Sequence, residues 1–380
     1  MLNMSQKKVY AFFMFFAMII FVAVGCTKGP GRGNDVFKIG AILPLTGDAA
    51  LYGNNDREGI DVAVEMINAK GGINGKKVTV LYEDSKAEAK NGVSAINKLA
   101  NDNVQLIIDD AISTVTLAML PIATEKKIII LSTGATNPTL SGASPYFFRI
   151  WNSDAEEGVF AANACFEKLS VKKMAIIYVN NDYGKGLKDV FNKEYTKLGG
   201  QIIAEETFEK GDKNFRGIVA KIKQANADAI YLVGYASETG IIAKQLRESK
   251  VASKIIGTVA MEDPVFLKLA EKASEGVIYV FPKASEGPAV AEFKEQFKKK
   301  YHKDPGLLCD AGYDAANLVI SAYQKGAKNS DEIRKVFAGI KDFKGASGEI
   351  TFDNKGDVHK PMILKTVIKG EFIAYDEGRK

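Results

Sequence analysis

The feature that most constrains this chain is a repeated alternation of short apolar runs with longer amphipathic ones, beginning at Phe37. Residues 37–43 form a compact apolar run, and 55–68 then carry Ile60, Ala63, Val64 and Ile67 at the spacing of one helix face. A turn-rich break at 69–76 (AKGGINGK) leads into an alternating strand at 77–82. The series continues with a helix at 87–100, a strand at 104–108, a helix at 114–125 and a strand at 127–131. A second series repeats it. Helices at 155–169, 184–198, 214–225 and 238–248 alternate with strands at 173–179, 201–206, 229–233 and from 254 to 257. Parallel strands need crossover helices, and these cover both faces of the sheet. The pattern therefore predicts an α/β protein of two similar lobes with parallel-sheet cores. At 380 residues the chain is long enough for both.

Beyond Pro282 the spacing predicts amphipathic helices at 287–300 and 309–324, then β-rich segments at 348–352, 362–368 and 372–374. Polar or Pro-bearing stretches near 151–154, 281–283 and 353–359 are the expected places for the chain to cross between lobes. They divide it into lobe 1 (36–153 plus 283–355) and lobe 2 (154–282 plus 356–380), joined by three hinge crossovers.

The residues up to Cys26 are of another kind. Lys7 and Lys8 precede an uninterrupted apolar run from Val9 to Val24, shorter than the roughly 20 residues of a membrane-spanning helix. That is the layout of a signal peptide. The run ends Ala23-Val24-Gly25-Cys26, which resembles a bacterial lipobox, with Cys26 as the lipidation site. An ordinary signal peptide, or an uncleaved anchor with a stray cysteine, is the alternative. Residues 27–35 read as a flexible tether. Cys165 and Cys309 are too few for a disulfide framework or a zinc site, and both are read as small buried apolar residues.

Several function classes are disfavoured. The net charge of +5 is spread through interspersed Lys and Glu, with no basic stripe for nucleic acid. There is no G-x-S-x-G elbow, no phosphate-binding loop and no paired-His motif, and His302 and His359 sit in charged late segments. The segment 353–357 (DNKGD) lacks the ligand spacing of a calcium loop and reads as a tight turn. No enzyme, metal or cofactor is expected.

A set of ordered motifs carries a family resemblance. IGAILPLTGDAALYG at 39–53, AVEMINAKGGING at 63–75, TLAMLPIA at 116–123 and STGATNPTL at 132–140 come first. FRI at 148–150, NNDYGKG at 180–186, GYDAANL at 312–318 and GEITFDNKGD at 348–357 follow. Together they resemble the leucine/isoleucine/valine-binding family of type I periplasmic binding proteins, over essentially all of the chain beyond Cys26. The resemblance implies two Rossmann-like lobes, joined by three hinge crossovers, that close on a ligand like a trap. It also implies an inner-membrane ABC permease and ATPases as partners, and an exported protein, periplasmic or on the cell surface, held to the membrane by lipidated Cys26.

Ligands of open α/β sheets bind at the carboxyl ends of the strands. Ser113 lies between a strand and a helix there, where a hydroxyl and free N–H groups make an anion site, or where it serves only as a helix N-cap. Thr136 follows the next strand, with Gly134 and Ala135 beside it. The resemblance implies that Ser113, Gly134 and Thr136 hold a ligand α-carboxylate, and that Tyr52, Tyr183 and Tyr235 line the pocket. Turn packing for Tyr52 and core packing for Tyr235 are the plainer readings, and Trp151 is either a ligand-stacking or a hinge residue. Amino-acid binders of the family grip the ligand ammonium with an acid two residues after the glycine of Gly257-Thr258. Here Val259 stands there, and the shifted Glu262 is the candidate substitute. Asp110, Asp182, Glu238 and Asp310 are further acids near strand ends, each also explained as a solvated loop residue or cap.

The expectation is thus a receptor for an apolar amino acid, with an amine-free aromatic or aliphatic carboxylate as the alternative ligand and a ligand sensor as the alternative role.

Overall fold

The computed structural model describes residues 36–109 and 111–376. The expected signal segment, Cys26, the tether and Asp110 lie outside them. The strands β1 (Phe37–Leu43), β2 (Val78–Asp84), β3 (Leu106–Asp109), β4 (Ile129–Ser132) and β5 (Phe147–Arg149) form one sheet. Its order is β2-β1-β3-β4-β5, with every pair parallel. The apolar runs of β3 and β4 are buried at every residue, as a parallel sheet covered on both faces requires.

A second sheet holds β6 (Lys173–Val179), β7 (Gln201–Phe208), β8 (Ala229–Val233), β9 (Lys254–Gly257), β10 (Ile278–Pro282), β13 (Met362–Ile368) and β14 (Glu371–Ala374). Its order is β14-β13-β10-β9-β8-β6-β7. The strands from β7 to β10 are parallel, and β13 and β14 add an antiparallel edge. The alternating exposure of β7 marks the other edge. A small antiparallel ladder, β11 (Phe343–Lys344) with β12 (Glu349–Ile350), stands apart from both sheets.

The buried side chains fall into two clusters. One runs from Ile39 to Trp151 and resumes from Phe293 to Val358. The other runs from Ala161 to Val280 and takes in Leu364 and Val367. Cys309 lies in the first and Cys165 in the second, both buried and unbridged. In the first lobe the helices Ala50–Ala69 and Cys309–Gln324 meet backbone to backbone. A Cβ on Gly59 would stand 1.9 Å from the Cys309 carbonyl oxygen, and one on Gly312 would stand 2.3 Å from that of Asp56. Only glycine fits at either place.

The chain passes between the clusters three times, after β5, after β10 and before β13. The passages are laced together. Arg149 at the end of β5 has no exposed surface, and its Nε donates to Asp357 Oδ1 at 2.7 Å. Asn152 Nδ2 donates to the Lys360 carbonyl at 2.8 Å, and Lys283 N–H to that of Pro361 at 2.7 Å. Trp151 meets Phe281 edge to face at 6.0 Å between ring centres.

Several elements differ from the sequence expectation. The first helix begins at Ala50 rather than near Asn55. The helix expected at 155–169 is α-helical over Asp154–Asn163 and ends in a π turn, Ala164–Lys168. The strands β5 and β10 and the helix Ser330–Ala338 were not expected. That helix announces itself locally: Asn329 caps it by accepting from Glu332 N–H, and Glu332 reaches back to Lys328 N–H.

Candidate functional site

The carboxyl ends of both sheets face a cleft between the lobes. From the first lobe come Tyr52, Gly134 and Thr136, and from the second Tyr183, Tyr235 and Val259. These six of the expected residues are brought together. Ile112, Trp151, Leu307 and Leu308 complete an apolar wall. Trp151 therefore faces the cleft and also packs at the crossing.

Each side chain is positioned by a local cause. Helix Ser113–Lys126 starts at the end of β3, and its N-cap is Ile112, not Ser113. Ser113 is the first helical residue. Its buried hydroxyl accepts from Asn137 N–H at 3.1 Å, which ties the loop after β3 to the loop after β4. The start of this helix is the positive end of its dipole, and the buried Thr114 hydroxyl there makes no hydrogen bond. Gly134 lets the neighbouring loop come close: a Cβ there would lie 2.9 Å from that of Ala111. Ala135 is buried behind the wall, where its carbonyl accepts from Arg149 at 3.2 Å.

The tyrosines form one cross-lobe cluster. Tyr235 lies 6.3 Å from Tyr52 and 5.6 Å from Tyr183, ring centre to ring centre. The Tyr52 hydroxyl accepts from Ala236 N–H at 3.3 Å across the cleft, and the Tyr183 hydroxyl donates to Thr258 Oγ1 at 3.0 Å. Burial raises both phenols well above their ordinary value, so both stay neutral. Asn137 Nδ2 donates to the Asp182 carbonyl at 2.6 Å, a second contact across the lobes.

Glu262 does not join this group. It lines a neighbouring cavity on the hinge side, hydrogen-bonded to Tyr279 and ion-paired with Lys365. Lys360 is in that cavity too, with its Nζ donating to the Ser347 carbonyl at 2.9 Å and hydroxyl at 3.0 Å. Of the other acids, Glu238 is buried and accepts from Gly211 N–H at 2.8 Å, and Asp310 lies in the hinge-side cavity.

Two acids that the sequence did not single out stand behind the cleft wall. Helix Asp154–Asn163, capped by Ser153, begins at the first crossing and turns Asp154 and Glu157 inward. Asp154 N–H donates to the Thr136 carbonyl at 2.8 Å, and Glu157 Oε1 accepts from Val259 N–H at 3.3 Å. Burial pushes Asp154 up to about 7, against the pull of Thr136 and Arg149. Burial, then the neighbouring Asp154 charge, raises Glu157 well above the ordinary carboxylate range. A sequence signal did exist: Asp154 and Glu157 share a helix face with Ala161 and Ala162, whereas Glu156 does not.

Comparison with known proteins identifies the family. The family model described as periplasmic binding protein matches residues 36–371, and the chain belongs to that family. It is 29% identical over 345 residues to "Leu/Ile/Val-binding protein homolog 2" of Brucella abortus, covering 90% of this chain and 93% of that one. The branched-chain amino acid transporter substrate binding protein LivJ of Streptococcus pneumoniae, solved with isoleucine, superposes with a TM-score of 0.82. Its identity is 31%, with coverage of 89% of this chain and 97% of the other. An ABC-transporter solute binding protein of Rhodopseudomonas palustris, solved with 3,4-dihydroxybenzoic acid, gives 0.80 at 26% identity, covering 90% and 96%.

Proposed function

We propose that this protein is the substrate-binding component of an ABC transporter, capturing a small apolar carboxylate, foremost a branched-chain or other apolar amino acid. The observation that carries the reading is the composition of the cleft: a helix N-terminus and Thr136 at one end, and apolar and aromatic walls around it. The helix dipole and first-turn N–H groups favour an anion. Ser113, Gly134, Ala135 and Thr136 form the carboxylate end, directly or by holding the loops. Tyr52, Tyr183, Tyr235, Trp151 and Val259 enclose the rest. The lobes close about the laced crossings when ligand enters, and the closed form is what a membrane permease and its ATPases engage. The matching relatives are binding proteins, and on that likeness this chain acts as a binding protein and not as an enzyme. The chain is exported and is anchored through lipidated Cys26.

An amine-free aromatic carboxylate is the second reading. It is supported by Val259 at the position where the family carries an acid, by the aromatic walls, and by the relative solved with a hydroxylated benzoate. A thermal-shift screen of the full chain separates the two. Branched-chain amino acids raising Tm supports the first. A rise with benzoates alone supports the second, and no rise with either class defeats both. Radiolabelled fatty-acid incorporation, lost in Cys26→Ala, tests the anchor.

A further inference from the structure

The hinge-side cavity draws on every part of the fold that joins the lobes. Trp151 comes from the first crossing, Pro282 and Lys283 from the second, and Lys360 from the third. The first lobe adds the segment from Pro305 to Leu308 with Asp310, and the second adds Glu262 and Phe372. The volume is about 340 Å³, enough for a small molecule. Trp151, Leu307 and Leu308 line both this cavity and the cleft, so the two are compartments on either side of a common wall.

Lys360 is the unusual member of this wall. It is 8% exposed, and among the described residues no carboxylate forms an ion pair with it. An ammonium carries three N–H donors. The protein offers Lys360 Nζ two acceptors, the Ser347 carbonyl and hydroxyl, and both are uncharged. The third donor is left without one, at a nitrogen 5.7 Å from the centre of the Trp151 ring. The acids nearby are committed elsewhere. Asp314 accepts from Ala346 N–H at 2.8 Å and from Ser347 N–H at 2.7 Å, and Asp310 accepts from Ala311 N–H at 2.8 Å. Burial pulls the Lys360 ammonium below its ordinary value, and the charges of Asp310 and Asp314 oppose that pull. Of the other charges on the wall, Glu262 is answered by Lys365. Lys283 and Lys360 then face the single acid Asp310, so the wall has one positive charge in excess.

We propose that the hinge-side cavity is a second ligand site, that it takes a small carboxylate with an apolar body, and that Lys360 binds the carboxylate. A desolvated ammonium gains a charge-assisted hydrogen bond from such an anion, in place of a donor left unmet. Trp151, Phe281 and Phe372 supply ring surface for the body of the ligand. A molecule seated there touches both lobes and all three crossings. The site stands on its own residues and does not depend on what the cleft binds.

The test uses 4-bromobenzoate as the probe. Crystals of the full chain are soaked with it, and the anomalous signal of bromine locates it. The expected peak lies in the hinge-side cavity, with a carboxylate oxygen about 3 Å from Lys360 Nζ. In solution the probe is titrated against the fluorescence of Trp151, the one tryptophan of the chain and part of the cavity wall. Lys360→Met is expected to weaken binding about tenfold or more, and 4-bromobenzamide, of the same shape without the charge, is expected to bind the unaltered chain more weakly by a similar factor. Ala284→Phe, which fills the cavity from an exposed position, gives the same loss should Lys360→Met not fold. A bromine peak confined to the cleft, or no peak, overturns the proposal. So does binding at crystal concentration only, and so does an affinity that both variants leave unchanged. Equal binding of the benzamide overturns the assignment of an anion to Lys360.

Discussion

Two sets of buried acids meet at the first crossing, and they are treated in opposite ways. Asp357 is paired: Arg149 Nε donates to it at 2.7 Å, and its own N–H donates to Asp353 at 2.9 Å. Asp154 and Glu157, a few residues beyond Arg149, are ion-paired with no lysine or arginine among the described residues. The same chain thus supplies a cation to the acid that ties the crossings together and none to the acids behind the cleft wall. A paired buried acid binds elements together; an unpaired one is a destabilised place in the fold.

The largest expected effect breaks the paired set. Asp357→Ala leaves Arg149 buried without its partner and is predicted to lower stability by about 3–5 kcal/mol in urea denaturation. A loss within a few tenths would mean that the lacing of the crossings is not what holds them. In the cleft, Thr136→Val is predicted to weaken isoleucine and its amine-free analogue 3-methylpentanoate alike by about 1.5–3 kcal/mol, since both share the carboxylate. A loss confined to isoleucine would move Thr136 to the amine end.

The unpaired set gives the pH signature. The carboxyl of Asp154 is raised in the fold from 3.8 to about 7, so its contribution to stability is complete below pH 3.8 and is lost as pH rises through 7. The unliganded protein is therefore predicted to lose stability between pH 5 and 7 by at most about 1.4 kcal/mol per unit from this group. Glu157→Gln flattens that slope, and at pH 8 its unliganded Tm exceeds that of the wild type. An unchanged slope would mean that these acids take up no proton in that range. The smallest effect is that of Tyr183→Phe, which removes the donor to Thr258 and is predicted to cost about 0.5–1.5 kcal/mol of stability.

How much of this the sequence disclosed depends on the range of the interaction. The buried runs of β3, β4 and β8 are short and apolar throughout, and such runs between helices read directly as parallel strands. Gly134, Thr136 and the three tyrosines were legible because they lie in motifs at strand ends. The place of Glu262 in the hinge-side cavity was not legible, because its partner Lys365 lies a hundred residues away on β13 and nothing local announces that pair. Asp154 and Glu157 escaped notice for the reverse reason. Acids in a first helical turn are ordinary, and only the tertiary structure shows which of them turn inward away from water. The strand β10 was missed because its apolar run ends at Pro282, beside a crossing, where a break reads as a loop.

The most direct measurement is a crystal structure of the full chain grown with saturating isoleucine. The account predicts the ligand in the cleft, its carboxylate at Thr136 and the start of helix Ser113–Lys126, and its side chain among the tyrosines. Isoleucine bound elsewhere, or a cleft left empty at saturation, would contradict it.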